Sequence, residues 1–203
     1  GKDFNISKTE NSFIHYQDNL GEILLPEPNL LGDHQLYNVS TSIAASRKIF
    51  NISEEYIKKG IVNINLKGRL EEIKKGKLKK LIGHNRLIID GGHNESSAIS
   101  ISNWIKQQNQ DVHLICSMMK DKDHKKFINH FKNIVKSITL IDVQTQKSMI
   151  SKEEFYKKLE DLNINIVLSE SIEGAIKLNS KYQNSICLCI GSLYLVGEIL
   201  NLN

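Results

Sequence analysis

Two rhythms of apolar and polar positions divide the chain. From residue 86 onward, short apolar runs centred near Ile88, Leu114, Leu140, Ile166 and Leu188 recur at intervals of roughly 25 residues, a spacing that suits strand–helix units. Amphipathic stretches separate them. The first carries Ala98, Ile101, Trp104 and Ile105, and the second Phe127, Ile128, Phe131, Ile134 and Val135. The third opens on Ser151-x-x-Glu154, a capping box, and continues through Phe155 and Leu159. The fourth carries Ala175, Ile176 and Asn179, and the fifth Leu193, Val196 and Leu200. Short apolar strands alternating with helices predict βαβ crossovers, hence an α/β fold with a mainly parallel sheet and flanking helices. Residues 69–75 are expected to pair with 86–90 as an antiparallel hairpin across a lysine-rich turn.

Residues 1–66 lack that rhythm. Short strands are expected within 1–16 and at Gly21–Leu25, after which Pro26 and Pro28 force extended or turning backbone. Asp33 is a candidate N-cap for a helix carrying Leu36, Val39, Ile43 and Ala44. A second helix is expected from Ser53, as cap, through Glu54 and Glu55 to Gly60, as stop. Residues 61–68 read as a connector. This stretch offers little apolar surface, and below about 70 residues even a complete core is marginal. The chain therefore divides into an incomplete piece, 1–66, and a complete α/β domain, 67–203. It begins with Gly1 and not Met, as expected of a chain processed or cut from something longer.

Composition adjusts this picture. The chain has 29 Ile, 24 Lys and 20 Asn against only 4 Ala and 3 Arg, a tilt that looks like an AT-rich genome and weakens any reading of the net charge of +4. The densest basic run, Lys74, Lys75, Lys77, Lys79 and Lys80, has no interleaved aromatic on which a base could stack, so it reads as a solvated turn and nucleic acid is not an expected partner. No run approaches the roughly 18 apolar residues of a membrane helix, so no membrane partner is expected either. Cys116, Cys187 and Cys189 each lie inside apolar runs and read as free core thiols of a reducing compartment, the cytoplasm. Cys187 and Cys189 are expected on one face of a strand. No pattern of metal ligands stands out.

In an open α/β sheet, ligands bind beyond the carboxyl ends of the strands. That rule selects Asp90-Gly91-Gly92-His93-Asn94, Met118 to Asp123, and Gly191-Ser192. Asp90 ends a strand, where a carboxylate can accept two ribose hydroxyls; equally, Asp90 or Asn94 can simply cap the next helix. Asp123 is a cap candidate beside a solvated Lys122, and Ser192 a cap or an anion contact at a helix start. His34 and Asn38 share a helix face. Arg69, a rare arginine in a lysine-dominated chain, offers a planar fork suited to phosphate. The sequence contains no GxxxxGK[ST] phosphate loop, no GxGxxG and no GxSxG.

Taken together and in order, Leu-Leu-Gly-Asp-His-Gln-Leu-Tyr-Asn (30–38), Gly-Arg-Leu-Glu (68–71), Asp-Gly-Gly-His-Asn (90–94), Met-x-Lys-Asp-Lys-Asp (118–123) and Gly-Ser-Leu-Tyr-Leu-Val-Gly-Glu (191–198) resemble folylpolyglutamate synthase/dihydrofolate synthase of the Mur ligase superfamily. The resemblance covers the second half of such an enzyme. It implies a C-terminal Rossmann-like domain preceded by an incomplete piece of the central ATPase domain. The implied reaction phosphorylates a carboxylate of folate or dihydropteroate with ATP and Mg2+, and the amine of L-glutamate then attacks the acyl phosphate. Asn38 matches a position near the adenine, Arg69 an arginine that reaches the phosphates, and Asp90 the ribose ligand. His93 matches a catalytic-site histidine, and Lys122 and Ser192 match positions that hold the carboxylate of the incoming amino acid.

The chain departs from the family at Glu95, where proline usually follows His-Asn, at Leu66-Lys67, where an aromatic is common before Gly-Arg, and at Gly92, usually alanine. The phosphate loop and magnesium ligands of the family fall in the other half, so no metal residue is assigned here. The missing N-terminal half is expected to be required for activity, and a monomer is the expected state. The alternative is a non-catalytic remnant or nucleotide-binding module from a split or degraded gene. An unrelated Rossmann-like regulator is countered by the ordered motifs.

Overall fold

A computed structural model describes residues 2–11, 13–50 and 52–203. Gly1 and Ser12, within the 1–16 stretch expected to hold strands, lie outside the described residues, as does Asn51. The chain divides into two compact units, Gly1–Lys67 and Gly68–Asn203.

In the first unit, β1 (Phe4–Lys8), β2 (Phe13–Asp18) and β3 (Gly21–Pro26) form an antiparallel meander in which Ile6 faces Tyr16 and Tyr16 faces Ile23. Alternation turns Ile14, Tyr16, Ile23 and Leu25 inward, where Val39 and Ile43 of α1 (His34–Ile49) and Ile57 and Ile61 of α2 (Glu54–Val62) meet them. The unit thus has a core of its own, contrary to the expectation of little apolar surface to bury. Three helix signals also fail, one of them at Ser53, which stands at the N-cap of α2 but makes no side-chain cap bond. Asp33 has helical φ/ψ of −62°/−27°, so its side chain cannot fold back over the first amides and makes no cap bond; it pairs with Lys8 at 3.2 Å instead. Gly60 does not stop α2, because Ile61 continues the buried face and the helix runs on to Val62.

The second unit is a six-stranded sheet in the order β4-β5-β9-β6-β7-β8. Its strands are β4 (Glu71–Glu72), β5 (Arg86–Ile89), β6 (Asp111–Cys116), β7 (Ser137–Leu140), β8 (Ile166–Leu168) and β9 (Ser185–Ile190). All neighbours are parallel except β4, which pairs with β5 as the expected hairpin, Glu71 opposite Ile89. Each anticipated apolar run became a strand. β9 is buried along its whole length because it runs between β5 and β6 under both helical layers. On one face, Ile88, Leu114, Leu140 and Leu188 pack against α4 (Glu95–Lys106), α5 (His124–Asn129) and α6 (Lys152–Leu159). On the other, Leu87, Ile89, Ile115, Cys187 and Cys189 pack against α3 (Lys77–Ile82), α7 (Ile172–Ser180) and α8 (Leu193–Leu202). The three thiols are free and buried as expected, and burial pushes the Cys116 thiol up.

The lysine-rich run is not simply a turn. Leu78 and Ile82, four residues apart, are buried beneath α3, while most of the lysines stay in solvent. The helix start is capped from the far end of the chain: Asn203 Oδ1 accepts the amides of Leu78 (3.0 Å) and Lys79 (3.4 Å), and its Nδ2 donates to the Lys75 carbonyl. The buried face of α8 is Leu195, Val196 and Ile199; Leu193 is half exposed, a one-position departure from the expected stripe. Among the described residues no helix is long and apolar enough to cross a membrane.

Candidate functional site

The carboxyl ends of β5, β6 and β9 converge on two glycines. Gly191, directly after β9, has φ +104°, and a Cβ there would stand 2.7 Å from the Ser117 carbonyl, so only glycine lets the chain leave β9 this way. Its amide donates to the Gly92 carbonyl at 2.9 Å, joining the β9 exit to the β5 exit. Gly91 lies against the Leu193 side chain and 3.1 Å, measured from an ideal Cβ, from Arg69 Nη1. The backbone is thereby open where Arg69, Asp90 and the start of α8 come together.

Asp90 is 4% exposed, and both carboxylate oxygens are engaged: Oδ1 accepts the Gly92 amide at 2.6 Å and Oδ2 the Leu70 amide at 2.8 Å. The second contact holds Leu70 at φ +46°, a conformation costly for a branched side chain. Asp90 therefore organises the 68–72 turn as well as ending β5. It does not cap α4. That task falls to Asn94, whose side chain accepts the Ser97 amide while Ser97 Oγ accepts the Asn94 amide, a complete capping box.

Arg69 is half-buried and donates to its neighbouring Gly68 carbonyl at 3.1 Å. The other basic fork nearby, Arg86, is spent on Glu72, with contacts at 3.1 and 3.3 Å across β4 and β5. His93 Nδ1 lies 2.8 Å from the Gly91 carbonyl. A carbonyl only accepts, so Nδ1 carries the hydrogen and Nε2 is left for another partner.

Ser192 is 2% exposed and caps α8: its Oγ accepts the Tyr194 amide at 3.0 Å and donates its own proton to Met149 Sδ at 3.9 Å. Met149 in turn bridges Met119, so the loop carrying Lys122 borders Ser192. Lys122 itself is a part-exposed ammonium 3.3 Å from Asp121. Asp123 caps α5 through the Lys126 amide at 3.0 Å. Asn38 belongs to the first unit. There its amide donates to Gln35 Oε1 at 3.0 Å, and Gln35, 2% exposed, reaches His34 in turn, so the expected His34/Asn38 face is bridged by a residue the pattern did not single out.

Two further groups escaped sequence reasoning. Ser117, at the exit of β6, is fully buried and its Oγ has no hydrogen-bond partner among the described residues. Lys152, 6% exposed, meets Glu170 at 2.5 Å and Asp142 at 3.7 Å beyond the ends of β7 and β8. Nothing in a period-2 or period-3.6 pattern marks either residue. Among the described residues no group of three or more His, Cys, Asp and Glu comes together as a metal site.

Comparison with known proteins places this arrangement. The profile of the family described as dihydrofolate synthetase, C-terminal domain, matches residues 74–202. A curated dihydrofolate synthase/folylpolyglutamate synthase from Bacillus subtilis is 28% identical over 180 residues, covering 84% of this chain and 39% of its own length. Among solved structures, E. coli FolC in complex with DHPP and ADP superposes with a TM-score of 0.81 at 22% identity, over 99% of this chain and 46% of that one. A bifunctional folylpolyglutamate synthase/dihydrofolate synthase with Mn, AMPPNP and L-glutamate bound has a TM-score of 0.78 at 18% identity, over 98% of this chain and 45% of that one. At these identities the two structures share the fold. The chain spans about two-fifths of the curated relative's length.

Proposed function

The chain belongs to the dihydrofolate synthetase C-terminal-domain family, and on that premise we propose that it is the C-terminal part of an ATP-dependent ligase that joins L-glutamate to folate or dihydropteroate. In this reading residues 1–66 are the end of the central ATP-binding domain and 67–203 the domain that closes on the nucleotide and presents the amino acid. The observation that carries it is the convergence of Arg69, Asp90 and His93 with the α8 start at the strand ends, where the family relation expects nucleotide and glutamate to meet.

The chemistry runs as follows. A substrate carboxylate oxygen attacks the γ-phosphorus of ATP, ADP leaves, and an acyl phosphate forms. The glutamate amine attacks the acyl carbon, a proton is lost from nitrogen, and the tetrahedral intermediate collapses to an amide as inorganic phosphate departs. Arg69 supplies a fork for phosphate oxygens. Asp90 accepts ribose hydroxyls at the end of β5, and Asn38 borders the adenine. The start of α8 at Ser192 and the Lys122 ammonium suit a carboxylate, and His93 Nε2 suits the amine proton. Phosphoryl transfer depends chiefly on anion cradling and on Mg2+. Neither a phosphate loop nor a metal cluster is found among the described residues, so no metal-dependent step is assigned to this chain.

The test is ATP-dependent incorporation of labelled glutamate into dihydropteroate and folate, with and without a phosphate-loop half supplied as a separate or fused polypeptide. No turnover is expected from the 203-residue chain alone and measurable turnover from the combination. Turnover by the chain alone overturns the division of labour; none from any combination favours the non-catalytic remnant.

A further inference from the structure

The chain between β7 and α6 contains none of the motifs singled out in the sequence, yet it touches both parts of the proposed amino-acid site. Its ends are pinned together: the Lys152 amide donates to Asp142 Oδ1 at 2.8 Å, ten positions back along the chain. A surface loop closed in this way is packed by its own side chains. Val143, Met149 and Ile150 are buried, whereas Gln144, Thr145, Lys147 and Ser148 are exposed.

On one side the loop is zipped to the segment that carries Lys122. The Ile150 amide donates to the Met118 carbonyl at 3.0 Å and the Lys120 amide to the Ser148 carbonyl at 2.9 Å, on either side of the bridge between Met119 and Met149. On the other side it meets α8 twice. At the helix start, Met149 Sδ accepts the Ser192 hydroxyl. Further along, Glu198 Oε1 accepts both the Thr145 amide at 2.9 Å and the Thr145 hydroxyl at 2.8 Å. Hydrogen bonds to a carboxylate are about twice as strong as neutral ones, so this pair ties the exposed tip of the loop to the helix. Glu198 also closes the 191–198 motif, and nothing in the chemistry set out above uses it.

We propose that Glu198 is a positioning residue for the incoming amino acid: by anchoring the 142–151 loop it fixes the spacing between the Lys122 segment and the start of α8. The proposal rests on the ligase reading. A carboxylate gripped from two sides is held well only where both sides keep their separation. Met118 abuts Gly191 directly, its Cγ 2.9 Å from where a Cβ would stand. Beyond Met118, the segment leans on the loop through Met119 and Lys120. The role demands an acceptor at position 198 and not a charge. Glutamine keeps a carbonyl oxygen that can take both Thr145 hydrogens, whereas methionine, of similar length and helix propensity, keeps none. Asp90 is held by the Gly92 and Leu70 amides, at the exit of β5, so the nucleotide end should not respond.

Two measurements test this. In the full chain, hydrogen exchange at the Lys120 and Ile150 amides should quicken about tenfold or more in Glu198→Met and stay near wild type in Glu198→Gln, with the Leu188 amide of β9 unmoved in both. In the ligase assay with the phosphate-loop half supplied, Glu198→Met should raise KM for glutamate about fivefold or more with KM for ATP unchanged, and Glu198→Gln should restore it. Thr145→Val, an exposed change that removes one of the two bonds, should raise KM for glutamate about twofold and decides the matter if Glu198→Met does not fold. With an active wild type, the proposal is overturned by an unmoved KM for glutamate, by a KM for ATP that rises equally, by unchanged exchange, or by the same change in the methionine and glutamine variants. No turnover from the wild-type combination overturns the ligase reading, and this role with it.

Discussion

The two units bury their apolar residues in opposite ways. The first packs one face of a three-stranded meander beneath two helices and leaves the other face wet, with Phe13 and Leu24 turned outward and 41% and 50% exposed. The second covers its sheet on both faces, and its central strand β9 has no exposed residue. One-sided burial leaves every strand position either buried or solvated. Two-sided burial keeps solvent from the inner strands except at their ends, so polar groups there are read against an apolar background. That is why the candidate residues concentrate at the exits of β5, β6 and β9.

Core truncation should show the largest contrast. Leu188→Ala in the doubly covered sheet is expected to cost about 3–5 kcal/mol, and Ile43→Ala in the one-sided core about 2 kcal/mol. Urea unfolding measures both: Trp104, the chain's sole tryptophan and 5% exposed, reports the second unit by fluorescence, and far-UV circular dichroism the first. Equal costs would break the comparison.

Next in size is the strand-end carboxylate. Asp90→Ala leaves two buried amides, of Gly92 and Leu70, without acceptors, and about 2–4 kcal/mol should be lost. Asn94→Ala removes one cap at the neighbouring helix start and should cost about 1 kcal/mol. If Asp90→Ala costs no more than Asn94→Ala in the Trp104 transition, Asp90 is not the organiser of the 68–72 turn.

The smallest effect is a dependence on pH. His113, at the opposite end of the sheet, is stacked on Tyr182 at 3.8 Å with Nδ1 2.8 Å from Ser137 Oγ, and burial lowers its pKa; His124 is lowered for the same reason. The unfolded chain, with histidine near its ordinary value of about 6.5, then binds more protons than the folded one below that pH. Stability is therefore fully present above about pH 6.5 and falls as the solution is acidified through it. The urea midpoint of the second unit should drop between about pH 7.5 and 5.5, and His113→Gln should flatten the slope. A midpoint that rises on acidification would reverse the assignment.

Much of the second unit was legible beforehand, because each apolar run needed only its own composition to become a strand. The hairpin of β4 and β5 was legible too. The candidate positions were legible in part: Asp90, His93, Lys122 and Ser192 follow strand ends, which the positional rule finds, whereas Arg69 precedes β4 and stood out only as a rare arginine and by the family resemblance. What each does locally was not. Asp90 and Asn94 were equivalent as caps on paper, and only the backbone direction after β5 gives the box to Asn94 and the Leu70 amide to Asp90. Asp33 failed as a cap for a comparable reason, its own backbone having already entered the helix.

Taken by itself, the amino-acid sequence determined the alternation of strands and helices, the parallel character of the sheet, the free thiols and the order of the motifs that mark the family. All of these depend on neighbours within a few residues or on short patterns. Tertiary structure decided that β9 lies between β5 and β6, that Asn203 accepts the amide of Leu78, 125 positions earlier, and that Gln35 bridges His34 and Asn38. These depend on groups brought together by packing, and a buried donor or acceptor takes whichever partner the packed core places within hydrogen-bond reach.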